Sequence, residues 1–168
     1  MSVKSKLSAA VLALIAAGAT APQIAKQFLK EKEGVSLTAY PDAGGVWTIC
    51  YGETRGVKKG DKKTMEECEA MLDERLQEIE EESYAIAPGV QMSAPQRAAV
   101  MSFCIYNIGV TKCNSSTFLK LLKSSQREDA CKQILRWVRD GGKDCRVDRS
   151  CFGQVTRRDQ EYELCMTN

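Results

Sequence analysis

The sequence contains no histidine, and none of its eight cysteines stands in a Cys-x-x-Cys pair. Zinc ribbons and thioredoxin-like redox sites both rely on that pair, so these two classes lack their usual spacing here. A strong net charge is also missing, because 24 basic and 22 acidic side chains leave only +2. Nucleic-acid-binding proteins usually show a pronounced basic stripe, so we expect no nucleic-acid partner. No metal or organic cofactor is implied, and we expect a monomer.

Cysteines spread through 168 residues favour disulfides, and therefore an oxidising compartment. The alternative is a cytosolic protein with eight buried free thiols. Sequence alone leaves on the order of 100 pairings open. Our working assignment has two disulfides that close short loops, Cys104–Cys113 and Cys145–Cys151. The other two, Cys50–Cys68 and Cys131–Cys165, close longer loops. In the chain-entropy model a loop of about 15 residues contributes roughly 3 kcal/mol.

Residues 7 to 25, LSAAVLALIAAGATAPQIA, carry no charge and follow Lys4 and Lys6. As a helix this stretch rises about 28 Å, close to the roughly 30 Å of a bilayer core. Few of its residues are large and aliphatic, so we expect it to insert into a membrane, but poorly. We favour an uncleaved anchor, which would keep the preceding lysines in the cytoplasm and place everything downstream outside it. We therefore divide the chain into a signal-anchor segment, residues 1–25, and a folded domain, residues 26–168.

Two other interpretations of this stretch stay open. A cleaved signal peptide would use the small residues Ala19 to Ala21 as its cleavage site, although Pro22 would then follow the cut unfavourably. An alanine-rich core helix is the third interpretation, and the absence of a polar face argues against it.

The pattern after Pro22 predicts an α+β protein. An amphipathic run capped by Gly34 predicts a helix that ends near Glu33. Residues 38–40 and 46–51 have the composition of two strands around a turn rich in proline and glycine. Helix-start signals then follow at three places, TMEE from Thr64, SAPQ from Ser93 and a second capping box over residues 156–159. An amphipathic run from residue 127 predicts a further helix that ends at glycines 141 and 142. The prediction is a small β-hairpin lobe joined to a larger helical lobe.

Two carboxylates and a hydroxyl cluster around the predicted hairpin. Glu33 would face the negative end of the helix dipole, which disfavours its anion, as would burial under an apolar cleft wall. Asp42, in a glycine-rich turn, would stay hydrated and ionised. Carboxyl groups in divergent environments suit the acid and base roles of glycoside hydrolysis. Thr48 offers a hydroxyl that can hold a water against Asp42. Turn chemistry and a solvated helix end remain the alternative explanation.

The run from Glu33 to Gly52, with a tyrosine two residues before Asp42 and WTICYG after the turn, resembles the catalytic motif of phage-type lysozymes, glycoside hydrolase family 24. The similarity continues through PQRAAVMSFCIYNIG, STFLKLL and GGKDC…CFGQVTRRDQEYELC, and it covers residues 28 to 166. It implies a lysozyme-like fold and hydrolysis of the β-1,4 bond between N-acetylmuramic acid and N-acetylglucosamine in bacterial peptidoglycan.

By the same resemblance, Glu33 is the general acid, while Asp42 and Thr48 orient water for an inverting attack. Asn107 and Thr117 are weaker candidates for lining the sugar cleft, and hydrogen bonding at helix ends is their alternative explanation. Glu31 is expected to face solvent.

The weakly apolar N-terminus resembles the signal-arrest-release anchors of some phage endolysins. This implies an enzyme held inactive on the host inner membrane through residues 7–25, facing the periplasm, and then released into the periplasm to cause host cell lysis. Many relatives carry histidine after YG, where this chain has Glu53. Residues 1–49 contain no cysteine, so a thiol switch from the anchor is excluded and steric regulation is expected.

Two other functions would use some of these residues. A lytic transglycosylase needs only the acid, so substitution of Asp42 would spare its activity. A non-catalytic cell-wall-binding protein would tolerate the loss of Glu33.

Overall fold

The computed structural model describes residues 4–168. It has a β-hairpin lobe and a larger helical lobe, as the sequence predicts. The elements are α1 Ala9–Ala16, α2 Ala21–Glu33, β1 Ser36–Pro41, β2 Trp47–Cys50, α3 Met65–Ile86, α4 Ala94–Ala99, a π-helix Val100–Asn107, α5 Val110–Asn114, α6 Thr117–Lys123, α7 Arg127–Ile134, β3 Arg139–Asp140, β4 Lys143–Asp144, a short 3-10 helix Arg149–Cys151 and α8 Gly153–Met166.

The N-terminal stretch, residues 7–25, is broken into two helices. Gly18 has a φ of +74°, a conformation that favours glycine, and it ends the turn after α1. Thr20 then caps α2 and forms a capping box with Gln23. Among residues 4–168, no helix combines the length and the hydropathy needed to cross a membrane.

The first helix packs onto the folded body. Leu7 and Val11 are buried in the hydrophobic core, and α1 contacts α2. Lys6 forms an ion pair with Asp159 at 2.7 Å, and its backbone N–H donates to Glu163 at 2.8 Å. The segment before α1 is therefore bound to α8 by an ion pair and a hydrogen bond. In this structure α1 packs on the surface of the folded body through one face, since Val11 is buried and five of its eight residues are exposed, so α1 does not have the position of a core helix.

The β-hairpin projects from the end of α2. Strands β1 and β2 pair antiparallel, with Tyr40 opposite Thr48, and the register is irregular between Ser36 and Tyr40. The turn is closed by a hydrogen bond from the Gly45 N–H to the Asp42 carbonyl, 2.9 Å. This turn sets where Asp42 and Thr48 lie.

The helical lobe confirms some of the predicted helix ends and corrects others. Capping boxes are present at Thr64 and Ser93. The predicted box over residues 156–159 is wrong, because α8 already begins at Gly153 and these residues lie inside it. The helix predicted to run to Gly141 ends as α7 at Ile134. After Ile134 the backbone N–H groups donate hydrogen bonds to the carbonyl three residues earlier, which tightens the end of the helix. Gly141 and Gly142, both with positive φ, then form the turn of a second small hairpin, β3–β4.

Aromatic side chains and disulfides hold the core. Phe28, Phe103 and Phe118 are almost fully buried, and the last two rings meet edge to face with centroids 5.2 Å apart. Burial of each such side chain contributes about 1.5–3 kcal/mol. The four disulfides join the pairs of the working assignment: Cys50–Cys68, Cys104–Cys113, Cys131–Cys165 and Cys145–Cys151.

Candidate active site

A cleft of about 390 Å³ opens between the two lobes. It is lined by Glu33, by Cys50 at the end of β2 and residues 51–55 after it, by one face of α3, and by Tyr106 and Asn107 of the π-helix. Both polar and apolar groups line this cleft. In the described part of the chain, no three histidine, cysteine, aspartate or glutamate side chains are grouped as a metal site would need.

Glu33 is the last residue of α2, and its side chain is 24% exposed. Its Oε1 accepts a hydrogen bond from Nη1 of Arg157 on α8, at 2.7 Å. The sequence predicted an apolar wall beside this carboxyl, whereas the structure places a guanidinium there. Burial opposes the charge of Arg157, but Glu161 and Glu33 outweigh it and raise the pKa of the Arg157 guanidinium.

The backbone at Gly52 passes close to Glu33. Gly52 has a φ of +84°, and a Cβ at this position would lie 3.1 Å from Tyr106 Oη and 3.9 Å from Glu33 Oε2. The Tyr106 hydroxyl donates to the Tyr51 carbonyl at 2.7 Å. Burial, with Glu33 nearby, raises the pKa of Tyr106 well above its usual range. Tyr106 therefore stays protonated, and glycine suits residue 52 because a side chain there would be strained at this φ and tightly packed against the Tyr106 hydroxyl.

The π-helix places its last residues at the cleft. In a π-helix the hydrogen bonds run from i to i+5, and such turns are frequent at functional sites. The Ile108 N–H bonds to the Phe103 carbonyl in this way. Tyr106 and Asn107, the last two residues of the π-helix, lie on its cleft side. Asn107 Oδ1 also accepts a hydrogen bond from Arg158.

Asp42 and Thr48 lie on the hairpin and are both tied to the backbone of Val46. Asp42 is exposed, and its Oδ1 accepts from the N–H groups of Gly44 and Val46 at 2.9 and 2.8 Å. The buried Thr48 hydroxyl donates to the Val46 carbonyl at 3.0 Å. Neither residue is among those that line the cleft around Glu33.

The remaining candidates fall in different places. Asn107 lines the cleft, whereas Thr117, the first residue of α6, lines a separate cavity beside Trp137. Glu31 is exposed and bonds to Ser8. Glu53 lies in the cleft, and its Oε1 accepts from the next two backbone N–H groups at 2.8 Å.

Sequence reasoning missed Tyr106 and the charged side chains behind Glu33. Arg157 and Glu161 are four residues apart on α8, which is the spacing of an intrahelical ion pair. That spacing is a usable signal for the ion pair, although the same run also predicts a capping box. Tyr106 stood next to Asn107 in YNIG, and nothing in its spacing distinguished it.

A carboxyl group that opens into a cleft between two lobes suits the acid role in glycoside hydrolysis. The Phage lysozyme family model matches residues 30–161. The chain is 49% identical to the SAR-endolysin of Escherichia phage N15, over 98% of this chain and 96% of that protein. It is 46% identical to a probable prophage lysozyme of Escherichia coli, covering 96% and 94% of the two chains.

Solved structures agree with this result. A mutant of P22 lysozyme superimposes with a TM-score of 0.70 at 30% identity, covering 85% of this chain and 95% of that one. The active form of the P1 phage endolysin Lyz has a TM-score of 0.72 at 23% identity, covering 98% and 96%, and it supports the fold alone. The chain belongs to the phage lysozyme family. It is a glycoside hydrolase, a muramidase of the endolysin type that acts in cell lysis.

Proposed function

We propose that Glu33 is the general acid that protonates the leaving oxygen when the β-1,4 bond between N-acetylmuramic acid and N-acetylglucosamine is cleaved. The observation that carries this proposal is the position of Glu33, at the end of α2 with its carboxyl group opening into the cleft. A general acid must reach the glycosidic oxygen, and the side chain is exposed enough to do so.

In this proposal Asp42 and Thr48 orient the attacking water, and the reaction inverts the anomeric centre. Two backbone N–H groups fix the exposed Asp42 carboxylate, which supports a role as an ionised base. The Thr48 hydroxyl donates to a carbonyl, so its oxygen lone pairs are left to accept a hydrogen bond from water. Asn107 binds the sugar chain at the cleft. Thr117 does so only if the glycan extends beyond the cleft that contains Glu33.

One observation favours a second candidate, a lytic transglycosylase. That reaction needs the acid but no water-activating carboxylate, and neither Asp42 nor Thr48 lines the cleft around Glu33. The products distinguish the two reactions, because a transglycosylase forms anhydro-sugars whereas a hydrolase forms reducing ends.

The decisive experiment measures reducing-end release and turbidity loss on purified peptidoglycan with the oxidatively folded full chain. Glu33→Gln should lower the rate by roughly a hundredfold or more, because a general acid contributes about 10²–10⁴. Glu31→Gln is the matched control, two residues away and exposed, and it should keep the wild-type rate.

Asp42→Asn belongs in the same experiment. Inactivity of this variant supports water activation, whereas full activity with anhydro products supports the transglycosylase. Wild-type lysis by Glu33→Gln would remove Glu33 from the mechanism, whereas the absence of lysis by both proteins would support the wall-binding alternative.

We further infer that residues 7–25 lie in the host inner membrane before α1 and α2 pack as described, and that the enzyme then acts in the periplasm. Support comes from the uncharged stretch itself and from the relatives named SAR-endolysins. The division at residue 25 would then mark the end of the membrane segment, although α2 continues across it. The monomeric state stays a prediction.

A further inference from the structure

Glu161 is a fully buried carboxylate on α8, behind the cleft. Its Oε1 accepts hydrogen bonds from Ser102 Oγ at 2.6 Å and from Arg157 Nε at 3.2 Å. Its Oε2 accepts from Arg158 Nη1. A buried carboxylate is costly unless it is paired and hydrogen-bonded, and three donors meet that need here.

Each of these two arginines also donates a hydrogen bond to a different residue of the cleft. Arg157 donates through Nη1 to Glu33 Oε1 at 2.7 Å. Arg158 donates through Nη2 to Asn107 Oδ1 and through Nε to the Trp137 carbonyl at 2.9 Å. Glu161 is thus connected through Arg157 to Glu33 and through Arg158 to Asn107.

We propose that Glu161 is a positioning residue for glycoside hydrolysis, which orients Arg157 beneath Glu33 and Arg158 beneath Asn107 and balances the positive charge behind the acid. The proposal rests on the assignment of Glu33 as the general acid. Glu161 has no exposed surface and lies outside the set of cleft-lining residues, so it acts through the two arginines and not on the sugar.

The charge balance gives Glu161 an effect beyond packing. Two guanidinium groups and two carboxylates form this cluster. Besides Arg157, the charged or titratable groups that face Glu33 or this cluster come from four places in the fold. They are Tyr106 of the π-helix, Lys32 of α2, Glu53 and Arg55 after β2, and Arg75 of α3. Loss of the Glu161 charge leaves an excess of positive charge beside Glu33. That excess favours the ionised form of Glu33, which cannot donate a proton.

Glu161→Gln tests the proposal, because it keeps the shape and removes the charge. We expect kcat on purified peptidoglycan to fall about tenfold to a hundredfold with little change in KM, since misplacement of a catalytic group by about 1 Å has this effect. The alkaline limb of the pH–activity profile should also move to lower pH. Glu161→Asp, which restores the charge, should return that limb to its wild-type position.

A matched control comes from the same helix. Glu163→Gln loses contacts with Ser5 and with the backbone of residue 6 but is not connected to the cleft. It should keep the wild-type kcat and pH profile. Ser102→Ala is the second test, because it removes one donor to Glu161 while the charge remains, and it should lower kcat severalfold without moving the pH limb.

Two results would overturn the proposal. One is a folded Glu161→Gln enzyme, judged by near-ultraviolet circular dichroism, with wild-type kcat and an unmoved alkaline limb. The other is an unfolded Glu161→Gln chain together with wild-type kcat in Ser102→Ala, which would give Glu161 a purely structural role. Failure of the proposed function is distinguishable from both, because Glu33→Gln would then remain active.

Discussion

At the scale of single residues, Glu69 ties the hairpin lobe to the helical lobe. It accepts hydrogen bonds from Tyr51 Oη at 2.9 Å and from Lys30 Nζ at 2.6 Å, and Lys26 Nζ lies 3.0 Å away. The bond from Lys30, followed by those from Lys26 and Tyr51, lowers the pKa of Glu69 from 4.5 to about 2. Its stabilising effect is therefore complete at pH values above 4.5 and is lost as the pH falls towards 2.

Glu69→Gln should destabilise the protein at neutral pH by about 1–2 kcal/mol, a value reduced for the partial exposure of the group. The difference from wild type should shrink as the pH falls below 4.5, because protonated glutamate and glutamine have similar interactions. Denaturant unfolding at neutral and acidic pH measures both effects. Asp73→Asn is the control, since this exposed residue pairs with Lys26 in the same network, and its cost should stay below about 1 kcal/mol. A pH-independent difference would contradict the prediction.

At the scale of elements, the N-terminal stretch fits two environments. In the folded body, Val11 faces the core, whereas Leu12 and Ala13 are exposed on α1. In a membrane the whole stretch would have to be apolar, so both faces of the helix would matter. A substitution on the exposed face therefore separates the two states.

Ala13→Asp should reduce membrane association while leaving the folded enzyme active. A charge at the centre of a membrane helix costs about 2.5–3.5 kcal/mol on insertion scales, and an exposed position on α1 tolerates it. Cell fractionation after an alkaline wash measures the membrane-bound share, and peptidoglycan turbidity measures activity of the purified protein. Ala13→Ser is the control for substitution without charge. If Ala13→Asp stays in the membrane fraction as wild type does, residues 7–25 do not anchor the chain.

At the scale of the whole molecule, four disulfides constrain the chain. Cys131–Cys165 joins α7 to α8 across 34 residues, whereas Cys145–Cys151 closes a loop of only 6. In the chain-entropy model the cost of removing a disulfide rises with the length of the loop it closes. The two bonds therefore differ in their expected contribution to the free energy of unfolding.

Replacement of both Cys131 and Cys165 by alanine should lower the free energy of unfolding by about 4 kcal/mol, and the same change at Cys145 and Cys151 by about 2 kcal/mol. Denaturant unfolding of the oxidised proteins gives both values. The shorter loop thus acts as the internal control for the longer one. Equal losses, or a larger loss at the shorter loop, would show that native-state contacts and not chain entropy set the stabilisation.

The sequence predicted the parts of the site that depend on neighbouring residues. Gly34 ended α2 at Glu33, and the Gly-rich turn fixed the hairpin around Asp42. The sequence did not predict Arg157 beneath Glu33, because the two residues are separated by 124 positions and meet only when α8 packs behind the cleft. The break at Gly18 was also missed, although a glycine followed by the capping box of Thr20 and Gln23 is a usable signal for the end of one helix and the start of the next.

Local chemistry in the sequence alone determined the hairpin and the capped helices, and it predicted the two carboxyl groups that suggest glycoside hydrolysis. Capping, turns and periodicity act over a few residues, so they can be recognised in one dimension. Tertiary structure decided which charges surround Glu33, that Tyr106 and Asn107 reach the cleft through a π-helix, and that α1 packs against the core through Val11. These features depend on contacts between distant segments, whose energies exist only after the helices have packed.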